Sequence, residues 1–277
     1  MKVLYFDCTM GAAGDMLMAA LSELIPDKGT LKNRIDTLGI PGVTAQLRYD
    51  EKCGIRGTHI DIFVNGEEEH TEDHHEHGHE HCHEHNHGHD HEHHHEHEHG
   101  HEHHHHHTKL SDIEAVINGL DVSDNVKKNA CEVYGIIADA EGHAHGCEVG
   151  AVHFHEVGTM DAVADVVGVC MLIEELAPDI IVSSPVSLGT GYVKCAHGIL
   201  PVPAPATEYI VRDIPTKSGD EDGELCTPTG AALIKYFAKD FLPCPDMRDT
   251  KTGIGTGTKN FKKANVVKAV LGYTDKD

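Results

Sequence analysis

The segment HFHEVGTMDAVADVVG, residues 153–168, concentrates groups that can bind a metal or move a proton. His153 and His155 are two apart, so on an extended backbone they face one side. Glu156 follows at once, and Gly158 is placed to break the strand before Thr159 caps a helix. Asp161 and Asp165 stand at i and i+4 on one face of that helix, with Gly168 next on the same face allowing close approach. Val163, Val166, Val167 and Cys170 cover the opposite, core-facing side. Two imidazoles, one carboxylate at a helix start and two stacked carboxylates suit a mixed nitrogen–oxygen metal site or an acid–base site. The candidate ligands are His153, His155, Glu156, Asp161 and Asp165, and the candidate catalytic groups are Glu156, His155 and Asp161. Simpler roles exist for some of them. An acid in the first helical turn, such as Asp161, is favoured by the helix dipole, and His153 could be a satisfied core histidine, as His143 and His145 could be loop residues. The spacing is not HExxH, which excludes a zincin-type site.

A second metal-binding feature has a different character. Residues 70–107 hold 22 of the 28 histidines, interleaved mainly with Glu, Gly and Asp. Such a tract cannot bury apolar surface and is expected to be a solvated, mobile loop. It can still coordinate nickel, zinc or copper, with His81, His83, His93, His103 and His105 among its candidate ligands. A merely solvating linker has no need of His at every second position, and an internal tract mixed with Glu72, Glu76, Glu80, Asp90 and Glu98 is no expression tag. The chemistry expected of it is collection or delivery, because catalysis needs a rigidly held constellation.

Three further groups suit an anionic ligand. Near the N-terminus, Asp7 ends an apolar run and CTMGAAGDM follows, with Gly11 and Gly14 freeing the backbone before Asp15. N–H groups exposed at a helix start there can receive a phosphate. LGTGYVKCAHG, residues 188–198, carries Gly189, Gly191, Lys194 and His197. CTPTG, residues 226–230, places Thr227 and Thr229 at a helix N-terminus, and GIGTGTK, residues 253–259, adds Gly255 in a Gly-rich turn with a lysine. No P-loop is present, and each turn alone is a weak signal; together they suggest a nucleotide-like ligand.

The elements that must position these groups are mixed. Val3–Phe6 reads as a buried strand, Met16–Leu24 as a helix, and Thr30–Gly39 as a second helix with Pro41 beyond its stop. Residues 44–50 and 58–64 read as two strands turned by CGIRG, with Ile60, Ile62 and Val64 alternating against His59, Asp61 and Phe63. Ser111 and Glu114 match a capping box, and Val126, Ala130, Val133 and Ile137 recur at helical spacing. A helix is expected from about Thr159 to Leu176. Asp179–Ser183 and Pro185–Leu188 are strand-like, PVPAPAT should be extended, and Thr227-Pro228 opens the last helix. A Gly-rich loop over Gly253–Gly257 and a strand Val266–Leu271 complete the chain. The expected fold is a mixed α/β (α+β) domain, with residues 1–66 forming a strand–helix–hairpin segment, 67–108 the inserted loop and 109–277 the remainder.

Composition narrows the class. The formal net charge is −24. Residues 67–107 contribute 13 acids and no Lys or Arg, and the rest of the chain is still acidic. No basic stripe appears, which argues against nucleic acid. No apolar run approaches a membrane span. MKVLYFD reads as a strand rather than a signal peptide, and nine cysteines without a CxxC pair suit reduced thiols in a cytoplasmic protein.

Taken in order, FDCTMGAAGDM, the His-rich insert, HFHEVGTMDAVADVVG, SLGTGYVKCAHGILPVPAPAT, ELCTPTGAAL and GIGTGTKNFKKANVV resemble the nickel insertion proteins of the nickel-pincer-nucleotide pathway, the LarC family. The resemblance covers nearly the whole chain. It implies a lyase-type nickel insertase of cofactor biosynthesis, a metal chelatase or cyclometallase acting on pyridinium-3,5-bisthiocarboxylic acid mononucleotide. Nickel is placed between the two sulfurs and bonded to a ring carbon, and the product serves lactate racemase-type enzymes. It also implies CTP with Mn or Mg, a homo-oligomer, and a C-terminal part carrying the CTP site. That part is made separately in some members, and this chain stops at Asp277. A nickel storage or chaperone protein is the alternative, and a metallohydrolase acting through HFHEVG a more distant one.

Overall fold

The computed structural model describes residues 1–27, 29–68, 108–154, 156–195 and 197–275. The histidine tract lies outside the described residues, and with it His81, His83, His93, His103 and His105; so does His155. The backbone of Glu156 is described and its side chain is not.

The chain opens with β1 (Lys2–Asp7), α1 (Gly14–Ser22) and α2 (Gly29–Thr37), followed by β2 (Val43–Lys52), β3 (Ile55–Val64) and the short β4 (Glu67–Glu68). Beyond the tract come α3 (Leu110–Gly119), α4 (Asp124–His145), α5 (Met160–Leu176) and β5 (Ile180–Ser183). Four short strands follow: β6 (Val186–Ser187), β7 (Gly189–Thr190), β8 (Tyr192–Cys195) and β9 (Gly198–Pro201). Then come α6 (Pro205–Val211), β10 (Thr216–Lys217), β11 (Gly223–Glu224), α7 (Pro228–Phe237), β12 (Asp240–Phe241), β13 (Arg248–Thr256) and β14 (Val266–Tyr273).

The main sheet runs β12-β5-β1-β14-β13-β3-β2, with β4 paired to β3. It is mixed: β1 is parallel to β5 and antiparallel to β14, and β13 is parallel to β3. Strands from both sides of the tract therefore share one sheet, and the fold is mixed α/β as expected. Alternation along β1 sends Leu4 and Phe6 into the large helix-covered core, while Val3 and Tyr5 join Val182 in a smaller cluster. Helix α1 packs on β13, β3 and α5, and α4 packs on α5, α6 and α7. Helix α5 is apolar almost all round, with twelve buried residues from Ala162 to Leu176. Each buried Val, Leu or Ile there contributes about 1.5–3 kcal/mol, so α5 is the internal post on which the site is built.

Several expectations are corrected. GIGT, residues 253–256, is not a loop but the end of β13, with Gly257 just beyond it, and its glycines let the strand run against α1; a Cβ on Gly255 would lie 1.9 Å from the Met16 carbonyl oxygen. The capping box lies two residues earlier than expected: α3 starts at Leu110, and the Asp112 carboxylate accepts the Lys109 N–H at 3.0 Å. Pro205 is not extended but begins α6, where a proline at the first helical position loses no hydrogen bond. Both faces of β3 are covered along its middle. His59 and Asp61 are buried along with Ile60 and Ile62, because Arg48 binds Asp61 at 2.8 and 3.1 Å and His59 meets the Thr256 carbonyl at 2.7 Å. The turn at Cys53 and Gly54 has positive φ at both residues, which fits a two-residue hairpin.

Candidate functional site

The N-terminal loop is fastened to the start of α7. The Ala12 N–H donates to Leu225 O at 3.1 Å, and the Thr227 N–H donates back to Ala12 O at 3.0 Å. Thr227 then caps α7, its Oγ1 accepting the Gly230 N–H at 3.2 Å, with Pro228 at the first helical position. FDCTMGAAGDM and CTPTG, more than two hundred residues apart, thus become neighbouring walls of one cavity of about 440 Å³.

Gly14, Asp15 and Met16 enter that cavity from the start of α1, and Asp161 and Asp165 from the first two turns of α5. Glu141 and His145 come from the last turn of α4, and Lys194, Cys195 and His197 from the β8–β9 hairpin. Glu224, Thr227, Thr229, Lys259 and Asn265 complete its polar lining. The two helices α1 and α5 touch where Gly14 meets Asp165: a Cβ on Gly14 would lie 2.7 Å from both Cβ and Oδ2 of Asp165.

The carboxylates at this crossing are held against their usual ionisation. Burial pushes Asp165 well above the usual carboxylate range, and the neighbouring Asp15 and Asp161 push it further, while the Asp15 N–H pulls it back. Its Oδ1 is buried without a hydrogen-bond partner. Burial also raises Asp15, against the opposing field of His59 and the N–H groups of Met16 and Asp15. Behind them the Tyr134 phenol is buried, and burial followed by Asp161 and Asp165 raises it. Asp161 accepts a hydrogen bond from the Thr159 hydroxyl, so Thr159 occupies the N-cap position of α5 without capping it.

Of the residues singled out by sequence, Asp15, Gly14, Asp161, Asp165, His197, Thr227 and Thr229 share the cavity wall. Asp7, Gly11, Gly189, Gly191, Gly255 and His153 do not lie on it. Asp7 turns back on its own loop, its Oδ1 accepting the Thr9 N–H at 3.1 Å. Gly11, with φ of +83°, makes the tight turn that brings Ala12 to Leu225. Gly189 lies in β7 and pairs with Glu224 of β11, and Gly191 lies just past β7, its carbonyl accepting the Val202 N–H. His153 is exposed, while its neighbour Phe154 is buried and donates its N–H to Thr108 O at 2.9 Å. Among the described residues, no group of three or more His, Cys, Asp or Glu is arranged to hold a metal ion. Glu141, Cys195, Glu224 and Asn265 were not singled out, and His145, read with His143 as a loop residue, is the last residue of α4. Glu141 and His145 share the wall with the others. These two were legible as an i, i+4 pair near the end of a long helix; the others take their place only through the fold.

The fold and cavity define a mixed α/β protein that gathers carboxylate, imidazole, thiol, hydroxyl and ammonium groups around one ligand-sized space. The chain belongs to the nickel insertion protein family, whose model matches residues 4–277. It is 38% identical to a pyridinium-3,5-bisthiocarboxylic acid mononucleotide nickel insertion protein of Clostridium kluyveri, over 100% of this chain and 63% of that protein. Proteins of the same name from Clostridium acetobutylicum and Staphylococcus saprophyticus are 42% and 36% identical, over 98% and 96% of this chain and 64% and 59% of theirs. The chain thus spans about three fifths of the length of these relatives. No solved structure matches it. Among the described residues, no helix is long and apolar enough to cross a membrane.

Proposed function

We propose that this chain carries the nickel-insertion site for pyridinium-3,5-bisthiocarboxylic acid mononucleotide, and that nickel is its cargo. The observation that carries this reading is the convergence of five distant sequence motifs on one cavity of about 440 Å³, a volume suited to a small-molecule ligand. Hydroxyls of Thr227 and Thr229 with Lys194 and Lys259 suit the phosphate of a mononucleotide. Asp161 and Asp165, with His155, Glu156 and His153, are the proposed nickel-positioning set. His153 would have to turn inward to join it.

In the reaction, a ring C–H bond breaks, its proton passes to a protein base, and its electron pair forms the nickel–carbon bond while nickel remains Ni(II). Glu156 is the proposed base and His155 the alternative. Glu156 begins a short 3-10 turn directly before Val157, which lines the cavity. Oxygen and nitrogen donors hold Ni(II) less firmly than the substrate's sulfurs do, so transfer runs toward the softer ligands. The histidine tract supplies the ion. The chain re-enters the described structure at Thr108, bridged to Phe154, two residues before Glu156. CTP with Mn or Mg is assigned to the part of the relatives that this chain does not span, acting as a separate partner. A homo-oligomer and a cytoplasmic location are also proposed, the latter from eight free cysteines among the described residues.

The test is an insertion assay with substrate, CTP, Mg and nickel, run with and without that partner half. Product formed only when this chain is present supports the reading. Nickel binding without substrate binding would favour the storage alternative.

A further inference from the structure

The loop between β13 and β14, residues 257–265, brings a lysine to the cavity and is fastened from outside it. Gly257, Thr258, Lys259 and Asn265 line the cavity wall. The Gly257 N–H donates to Asn265 O at 3.0 Å, and Asn265 Nδ2 donates to Lys259 O at 2.9 Å, so the loop closes on itself. Lys52 Nζ reaches over from the end of β2 and donates to Thr258 O at 3.2 Å and Asn260 Oδ1 at 2.8 Å. Glu221, between β10 and β11, is 4% exposed and lies off the cavity wall. Its carboxylate accepts the successive N–H groups of Lys262 and Lys263 at 3.0 and 3.1 Å. Two neighbouring N–H groups aimed at one point form an anion site; here the anion is the protein's own.

The loop is thus held firmly, yet its cavity-lining cation stays uncommitted. Lys263 pairs with Asp220 at 2.6 Å, and Lys52 is taken up by the loop backbone. Lys259 is half-buried, and among the described residues its ammonium has no hydrogen-bond or ion-pair partner. Thr229, in the first turn of α7, is in the same condition. It is 7% exposed, it lines the cavity, and its hydroxyl has no partner among the described residues. The Thr227 hydroxyl, by contrast, is engaged in capping α7. An ammonium and a hydroxyl at a helix start suit the oxygens of a phosphate.

We propose that Lys259 and the Thr229 hydroxyl hold the phosphate of the mononucleotide, and that Glu221 is the positioning residue that sets Lys259 for it. The backbone carrying Lys259 is fixed before the ligand arrives, which lowers the cost of ordering on binding. The identity of the ligand rests on the nickel-insertion reading; the phosphate site itself rests on the geometry.

The probes are inorganic phosphate, pyridinium-3,5-bisthiocarboxylic acid mononucleotide and the nucleoside left when its phosphate is removed. Each is titrated calorimetrically into the whole chain without nickel. Lys259→Ala should weaken the mononucleotide by about 10- to 100-fold and leave the nucleoside unchanged, and Thr229→Val should weaken it by about 2- to 10-fold. Lys259→Arg keeps the charge and should restore most of the loss. Glu221→Ala should also weaken the mononucleotide alone. The double variant should bind no worse than Lys259→Ala, because the two residues act through one contact. Equal losses for mononucleotide and nucleoside in Lys259→Ala, or additive losses in the double variant, overturn the proposal. Inorganic phosphate carries the test where Glu221→Ala does not fold or the substrate does not bind: phosphate held by Lys259→Ala as well as by the wild type overturns the site. Lys259-dependent phosphate binding with no affinity for the mononucleotide keeps the site and overturns the nickel-insertion reading.

Discussion

Gly14 opens α1 directly against Asp165 of α5: a Cβ on the glycine would lie 2.7 Å from both Cβ and Oδ2 of the aspartate. Helix α1 begins at Gly14 with no side-chain cap from its own N-cap residue, Ala13. Asp165 keeps its Oδ1 buried without a partner, next to two more aspartates. The close crossing of the two helices thus holds a carboxyl group that resists ionisation.

Asp165→Asn should stabilise the chain at neutral pH by about 1–3 kcal/mol, since it removes an ionisable group that is buried beside two other aspartates. The sign follows from linkage. A carboxyl raised in the folded state favours folding below its unfolded value of about 4 and loses that contribution as pH rises through the folded value. The difference in melting temperature between variant and wild type should therefore grow from pH 4 to pH 8. Scanning calorimetry at both pH values checks it; a difference that shrinks with pH contradicts the burial.

Gly14→Ala should destabilise, although alanine normally favours a helix. Its Cβ would stand 2.7 Å from Asp165, and overpacking of this kind costs about 1–3 kcal/mol. Urea unfolding measures it. A neutral or stabilising substitution would mean that α1 and α5 are not in contact there.

The fold was only partly legible because sequence patterns report neighbours along the chain and not neighbours across it. Strand β1, α5 and the Thr227-Pro228 start of α7 follow from local periodicity and caps. The burial of His59 and Asp61 was not legible, because alternation cannot reveal that Arg48 and Thr256 cover them. The glycines of β13 suggested a loop, since nothing nearby in sequence shows that the backbone of α1 lies against Gly255. Motif chemistry located Asp161 and Asp165 correctly on one helix face. It had no means of placing them on one cavity with Asp15, His145 and His197, whose wall is completed where the loop at Ala12 closes on Leu225 and Thr227.

Glu156→Gln should abolish nickel insertion while leaving nickel binding largely intact, since the amide keeps the shape of the side chain and cannot take the ring proton. Single-turnover insertion and a parallel nickel titration separate the two effects. Wild-type insertion in the variant rules out Glu156 as the base.

Deleting residues 70–107 should slow insertion when nickel is scarce and spare it when nickel saturates. The tract joins described structure at Glu68 of β4 and at Thr108, so the sheet keeps its frame without it. Rates across a nickel series decide the matter. Complete loss at high nickel would place the tract inside the reaction itself.

The most direct measurement is a crystal structure of the chain with the thiolated mononucleotide and nickel, the metal located by its anomalous scattering. The pyridinium ring should lie in the cavity between α1, α5 and the β8–β9 hairpin, with nickel on its sulfurs and Asp161 and Asp165 alongside. Substrate bound elsewhere, or nickel confined to residues 70–107, would contradict the assignment of this cavity as the insertion site.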